Sequence, residues 1–188
     1  MTDRRPRLLV LTPSADMYGS DRSLLNALPE LVDRFEVTLV SAAEGPTLAH
    51  AEKLGIETKV IADFALRRRY LSPLGVFRWL WETVRAMIAL VRLHRRSHFD
   101  LVYVNTLAVS VLPLARLLLR RPTVVHVREG PRSPEWLPKV LVRLVRWSAG
   151  LVICNSAYTR SFVTGYEPAL ADRCVVIHNG MDLPVPDA

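Results

Sequence analysis

The 188-residue sequence predicts an α/β domain: a doubly wound, mostly parallel sheet with helices on both faces. Three observations predict it. Short apolar runs recur along the chain, helix-length segments separate them in strict alternation, and polar residues follow directly after several of the runs. The runs are residues 8–11, 37–40, 59–61, 101–104, 123–127, 151–154 and 175–177. Strands apolar on both faces belong in a covered parallel sheet, so each run is read as a strand of one such sheet. Helices are expected near 21–33, 47–54, 74–96, 107–120, 134–149 and 157–165. In a sheet of this kind ligands sit beyond the carboxyl ends of the strands, which makes the residues after each strand the candidates for a site.

Half of the residues are apolar, and 188 residues suffice for one domain with a real core but not for two ordinary ones. Only Cys154 and Cys174 are present, without metal-ligand spacing, and no apolar stretch precedes Leu8, so a reducing cytoplasm is the expected location. The longest run free of charge, 101–115, is too short and too interrupted to cross a bilayer. Net charge is +7, and 22 of the 25 basic residues are arginine, grouped at 67–69, 95–96 and 120–121. Acidic partners follow from that balance, although genome composition also accounts for part of the arginine excess. Residues 63–73 and the tail at 183–188, with Pro184 and Pro186, are the expected mobile stretch and linker.

After the first strand come Gly19, Ser20, Asp21 and Arg22, followed by a helical pattern of leucines. Glycine permits close backbone approach, Ser20 or Asp21 can cap, and free amides at a helix start favour an anion, so this is a candidate phosphate or acceptor cradle. An ordinary capped turn explains the same residues. The dinucleotide pattern G-x-G-x-x-G is absent, which argues against a dehydrogenase. Asn105 and Thr106 follow the fourth strand, either as site residues or as a cap. In the fifth strand His126 and Arg128 share one face and Glu129 follows; an apolar sheet does not bury such groups without partners, and a surface pair of Arg128 and Glu129 is the plain alternative. Ser156 and Arg160 follow the sixth strand, where Asn155 and Ser156 can serve as caps and Arg160 lies on the first turn.

The segment 74–96, projected as a helix, sets Arg78, Glu82, Arg85, Arg92 and Arg96 in one stripe. Leu80, Val84, Met87, Ile88, Leu90 and Val91 lie opposite, and Trp79 and Trp81 flank the stripe. Such an arc fits either a crossover helix packed on both sides or an anionic membrane face, which Lys139, Arg143 and Arg146 would extend.

Two motifs carry a family resemblance. Leu151, Val152, Ile153, Cys154, Asn155 and Ser156 lead into Ala157, Tyr158, Thr159 and Arg160; later, residues 175–177 lead into His178, Asn179, Gly180, Met181 and Asp182. Together they resemble the end of the N-terminal domain of GT-B glycosyltransferases of the family-4 type, whose "vIaxS" and "vIpNGvD" strands precede the crossing into a sugar-nucleotide domain. The loop at Tyr18, Gly19, Ser20 and Asp21 is similar to the family's glycine-glycine-small-Glu loop, with Tyr18 in place of the first glycine and a shorter acid. The strand ending in His126, Val127, Arg128 and Glu129 is similar to "vvtvHD", which leaves open whether His126 or Arg128 takes the family histidine's place.

The resemblance implies a Rossmann-like acceptor-binding domain over 1–182, a linker from 183, and a donor-binding domain outside this chain. Asn179, Gly180 and Asp182 would form the hinge. It also implies a retaining enzyme without an obligatory metal or other cofactor, a nucleotide-sugar donor, and a glycan or lipid-linked acceptor. The domain alone would be inactive, and it would be cytoplasmic, peripheral on the inner face of the membrane. A non-catalytic module binding a phosphorylated glycan or anionic lipid is the alternative. Nucleic-acid binding is disfavoured, because the basic residues form no recognised motif.

Overall fold

The computed structural model describes residues 4–17, 19–65, 70, 72–107, 109, 111–128, 130, 134 and 136–180. Seven parallel strands form one sheet in the order β3-β2-β1-β4-β5-β6-β7. In chain order the strands are β1 Arg7–Thr12, β2 Glu36–Ser41, β3 Glu57–Val60, β4 Leu101–Val104, β5 Thr123–Val127, β6 Leu151–Cys154 and β7 Cys174–Val176. The helices are α1 Gly19–Arg34, α2 Pro46–Lys53, α3 Pro73–Ser97, α4 Leu112–Leu119, α5 Trp136–Ser148 and α6 Ala157–Tyr166, with a 3-10 helix at Pro168–Arg173.

The apolar runs become strands because a strand flanked by two others must bury both of its faces. Leu8 and Val10 of β1 point to the layer holding Leu24, Leu25 and Leu28 of α1 and Leu48 of α2. Leu9 and Leu11 point the other way, with Val102, Val104, Val125 and Val152 of the neighbouring strands, towards Leu90 of α3, Val142 and Val145 of α5 and Val163 of α6. The alternation of side chains along a strand divides one apolar run between two cores. Coverage is uneven across the sheet. On the α1 side, Leu151 of β6 and Val175 of β7 remain more than a third exposed, so the sandwich is tightest around β1 and β4.

Two expectations need correction. The helix expected at 107–120 begins at Leu112, with Val111 as its N-cap residue, so Asn105 and Thr106 cap no helix. Before it, Val109 bridges Ala65 in an isolated antiparallel contact. On α3, Met87 and Leu90 are buried as expected, but Leu80, Val84 and Ile88 are exposed, and of the two flanking tryptophans only Trp81 faces solvent. Trp79 turns inward, where its Nε1 is buried without a hydrogen-bond partner among the described residues.

The strand order reverses at β1. The chain runs outward through β2 and β3, returns by the 25-residue α3, and then runs outward on the other side from β4. The crevice between the carboxyl ends of β1 and β4 is the topological switch point, where open α/β sheets bind ligands.

Candidate functional site at the strand ends

Arg128 is the centre of the site. It follows β5, and its half-buried guanidinium extends across the crevice. Nε donates to Asn105 Oδ1 at 3.0 Å, and Nη1 donates to Ser23 Oγ at 2.5 Å and to Asn179 Oδ1 at 2.9 Å. One side chain thus joins the end of β4, the first turns of α1 and the segment after β7. Its main-chain oxygen accepts from Asn155 Nδ2 at 2.9 Å, which adds the end of β6. A guanidinium has five N–H donors in a rigid fork, and these contacts use three of them. Burial draws the Arg128 pKa down, while Tyr103 and Asp21 oppose that shift.

Asn105 is fully buried and completes the junction. Its amide donates to the Ser20 main-chain oxygen at 3.3 Å while its carbonyl accepts from Arg128. Thr106 beside it is also buried. Asn179 accepts from Ser23 Oγ as well as from Arg128, and Asn26 Nδ2 donates to the Gly180 oxygen at 3.4 Å, so the expected hinge is held against α1.

The loop after β1 is organised by Asp21. The residue is fully buried, and its two carboxylate oxygens accept from Thr12 Oγ1 at 3.2 Å and Ser14 Oγ at 3.0 Å. Asp21 therefore fixes the loop that delivers the α1 N-terminus rather than facing a ligand. At Gly19 a Cβ would meet nothing within 4 Å, so this glycine fronts open space rather than a close backbone approach. Arg22 is exposed on the next position of the helix. Close approach occurs at Gly45 instead, where a Cβ would lie 2.3 Å from the Ala15 oxygen; that contact locks the loops after β1 and β2 together.

His126 lies one pleat repeat inside Arg128 and is 7% exposed. Its Nδ1 is 2.6 Å from the Tyr103 hydroxyl, and its Nε2 is buried without a hydrogen-bond partner among the described residues. Tyr103 also interacts with Arg128, which can only donate, so the phenol proton is directed to Nδ1 and the imidazole carries its own proton on Nε2. Burial, and secondly the Arg128 charge, lower the His126 pKa to about 3. A neutral imidazole of such weak basicity is a poor general base near pH 7. Burial pushes the Tyr103 phenol in the opposite direction, upward.

Ser156 and Arg160 stand apart from this network. Ser156 is the N-cap of α6, accepting from the Thr159 amide at 3.1 Å, and Thr159 Oγ1 in turn donates to Asn155 Oδ1 at 2.6 Å. Arg160 is exposed and reaches the Ala171 oxygen at 3.5 Å, towards the 3-10 helix. Glu129 and Asp182 lie outside the described residues. Sequence reasoning missed Tyr103 and Ser23, and it read Asn155 only as a cap rather than as a partner of the Arg128 oxygen. Tyr103 is two positions before Asn105 on the same face of β4, and that period-2 relation was the available signal. Ser23 carried none, being an ordinary helix serine.

Among the described residues no group of three or more His, Cys, Asp or Glu is placed to hold a metal ion. The arrangement offers donors instead: the amides at the start of α1, the remaining N–H groups of Arg128, and the side chains around them. Donors converging on a crevice suit an anionic or oxygen-rich ligand.

Comparison with known proteins points the same way. The family profile of glycosyltransferase family 4 matches residues 17–184. No protein of established, curated function matches the chain in sequence. Among solved structures, HepE from Anabaena, determined with UDP-glucose, is 25% identical with a TM-score of 0.73; the match covers 94% of this chain and 44% of that one. MurG from Acinetobacter baumannii is 16% identical, with a TM-score of 0.62 and coverage of 97% and 48%. A sucrose-phosphate synthase structure from Thermosynechococcus elongatus is 16% identical, with a TM-score of 0.56 and coverage of 94% and 90%. The chain spans under half the length of HepE and of MurG. A profile that runs from the loop after β1 to beyond β7, on a sheet of this strand order, settles the family: the chain belongs to glycosyltransferase family 4 and has the fold of the N-terminal half of a GT-B enzyme.

Proposed function

We propose that this domain is the acceptor-binding half of a retaining glycosyltransferase that moves a hexosyl group from a nucleotide-sugar donor to a glycan or lipid-linked acceptor. The observation that carries the reading is the Arg128 junction, which ties β4, α1 and the expected hinge into one preorganised wall of the crevice. Fixed donors aimed at a site of developing negative charge favour transfer, because they need no reorganisation during the reaction. Arg128 takes the acceptor-facing place of the family histidine, since His126 is buried on Tyr103 and only weakly basic. Donor ribose and sugar are held by a second domain outside this chain, and closure against that domain excludes water. HepE bound to UDP-glucose supports a UDP-sugar as the first donor to try. The test is a transfer assay on the protein carrying both domains. Arg128→Lys should lower kcat/KM for the acceptor at least about tenfold, since a lysine cannot reproduce the fork. An unchanged value would refute the assignment.

A second feature favours an acceptor presented at a membrane surface. Leu74, Phe77, Trp81, Val84 and Ile88 follow a 3-4-3-4 spacing along α3 and are 84%, 72%, 64%, 49% and 46% exposed. Arg78, Arg85 and Arg92 run beside them at intervals of seven. An exposed apolar stripe bordered by arginines suits the interface of an anionic bilayer, with peripheral attachment at its cytoplasmic side. No helix among the described residues is long and apolar enough to cross a membrane. Co-sedimentation with anionic liposomes at low salt should be lost in a Phe77→Ser/Trp81→Ser variant; a wild type that stays in the supernatant would end this reading.

A further inference from the structure

A second cleft lies at the opposite end of the sheet, where β5 and β6 begin. It has a volume of about 460 Å3 and is lined by Arg116, Arg120, Arg121 and Arg173 together with Thr123, Ser148 and Gly150. A neighbouring hollow of about 310 Å3 shares Arg116 and Arg173 and adds Arg143, Arg146 and Trp147. Six guanidiniums therefore surround one connected depression, remote from the Arg128 junction.

Part of this charge has a structural role. Arg116 donates to the Trp147 oxygen and stacks on its ring, and Arg173 donates to the Arg146 and Ala149 oxygens at 3.2 and 3.0 Å. Both cap the carboxyl end of α5, which carries about half a negative charge, as does the end of α4. Arg146 pairs with Glu167 at 3.6 Å. Two helix ends and one carboxylate offset about two of the six charges, and Asp100, whose carboxyl feels Arg121, offsets part of another, leaving between about three and four. Among the described residues, Arg120, Arg121 and Arg143 have no carboxylate within ion-pair distance. Ser148 supplies an independent sign of a missing ligand: it is 3% exposed, it lines the cleft, and among the described residues its Oγ has no hydrogen-bond partner. Buried hydroxyls are ordinarily satisfied, and this one belongs to a residue that lines a cationic hollow.

We propose that this cleft is a binding site for an oligophosphate, an anion with two or more adjacent phosphoryl groups. A single phosphate, with about two negative charges, would leave part of the surplus unpaired, whereas a diphosphate presents enough oxygens to engage Arg120, Arg121 and Arg173 in forked pairs, with Ser148 beside them. The cavity is of ordinary ligand size. The same group occurs in soluble diphosphates and in prenyl diphosphate headgroups, and the experiment separates the two.

Binding of pyrophosphate and of farnesyl diphosphate to the intact protein is measured calorimetrically at low salt. Pyrophosphate should bind saturably below about 1 mM. An Arg120→Gln/Arg121→Gln variant should bind at least about tenfold more weakly, and Ser148→Ala, which alters no charge, should also weaken binding. An Arg5→Gln/Arg34→Gln variant, with the same charge removed beside α1, should match the wild type. Tighter binding of farnesyl diphosphate assigns the site to a lipid, and equal binding to a soluble diphosphate. No saturable binding, or equal weakening by both arginine pairs, would overturn the proposal. Both replaced pairs are exposed, so thermal unfolding of each variant should coincide with the wild type and exclude misfolding as the cause.

Discussion

Replacing His126 with asparagine should flatten the acid side of the stability profile. The folded-state pKa is held at about 3, against an ordinary 6.5, first by burial and then by Arg128. The unfolded chain therefore binds a proton that the native state refuses, and the stabilisation is complete above the unfolded pKa. It is lost as the pH falls from 6.5 towards 3, at about 1.4 kcal/mol per unit. Between pH 7 and pH 5 the loss from this one residue is about 2 kcal/mol, rising to about 4 kcal/mol near pH 3. Urea unfolding at half-unit intervals from pH 7.5 to 4.5 gives the wild-type and His126→Asn profiles. Carboxylates titrate in both proteins, so the difference between the curves isolates the imidazole. Parallel curves across the whole range would refute the placement of His126 as a buried neutral group.

Asn105→Ala should cost about 1–3 kcal/mol, because it leaves the Ser20 oxygen and the buried edge of Arg128 unpaired, and equilibrium unfolding measures it. Gly45→Ala should destabilise by about 1–3 kcal/mol through overpacking against Ala15, seen as a lowered Tm, whereas Gly19→Ala should leave Tm nearly unchanged because open space surrounds it. Ser156→Ala should cost about 1 kcal/mol by removing the α6 cap. Cys154, buried with its thiol pushed up to about 12, should resist alkylation at pH 8 in the folded protein and react once the protein is unfolded in urea.

The sheet was the most legible part of the chain. β4, β5 and β6 occupy the residues that their apolar runs predict, because internal parallel strands must be apolar on both faces. The α4 start was misjudged because residues 107–111 are as apolar as the helix itself, and composition alone does not mark where the chain turns. On α3 the hydrophobic arc was visible, but which half of it faces the core depends on how the helix rolls against α4. The roll that buries Ala86, Met87 and Leu90 leaves Trp81 and Phe77 outside.

The site was legible as positions rather than as contacts. Strand ends pointed to Asn105 and Arg128, and the turn signal pointed to Asn179 and Gly180. That Arg128 meets Ser23 and Asn179, 105 and 51 residues away, is a consequence of strand order, which periodicity does not encode. Asp21 shows the reverse: a carboxylate at a helix start reads equally as a cap, a ligand contact or a loop anchor, and only burial with Thr12 and Ser14 selects the last.

The proposed role of this domain is to supply the acceptor side of a two-domain glycosyltransferase. The most direct measurement is nucleoside diphosphate release from a nucleotide sugar, made in parallel on the protein carrying both domains and on residues 1–188 alone. The former should show acceptor-dependent release, and the latter no release above the uncatalysed rate. Robust sugar transfer by residues 1–188 alone would contradict that role.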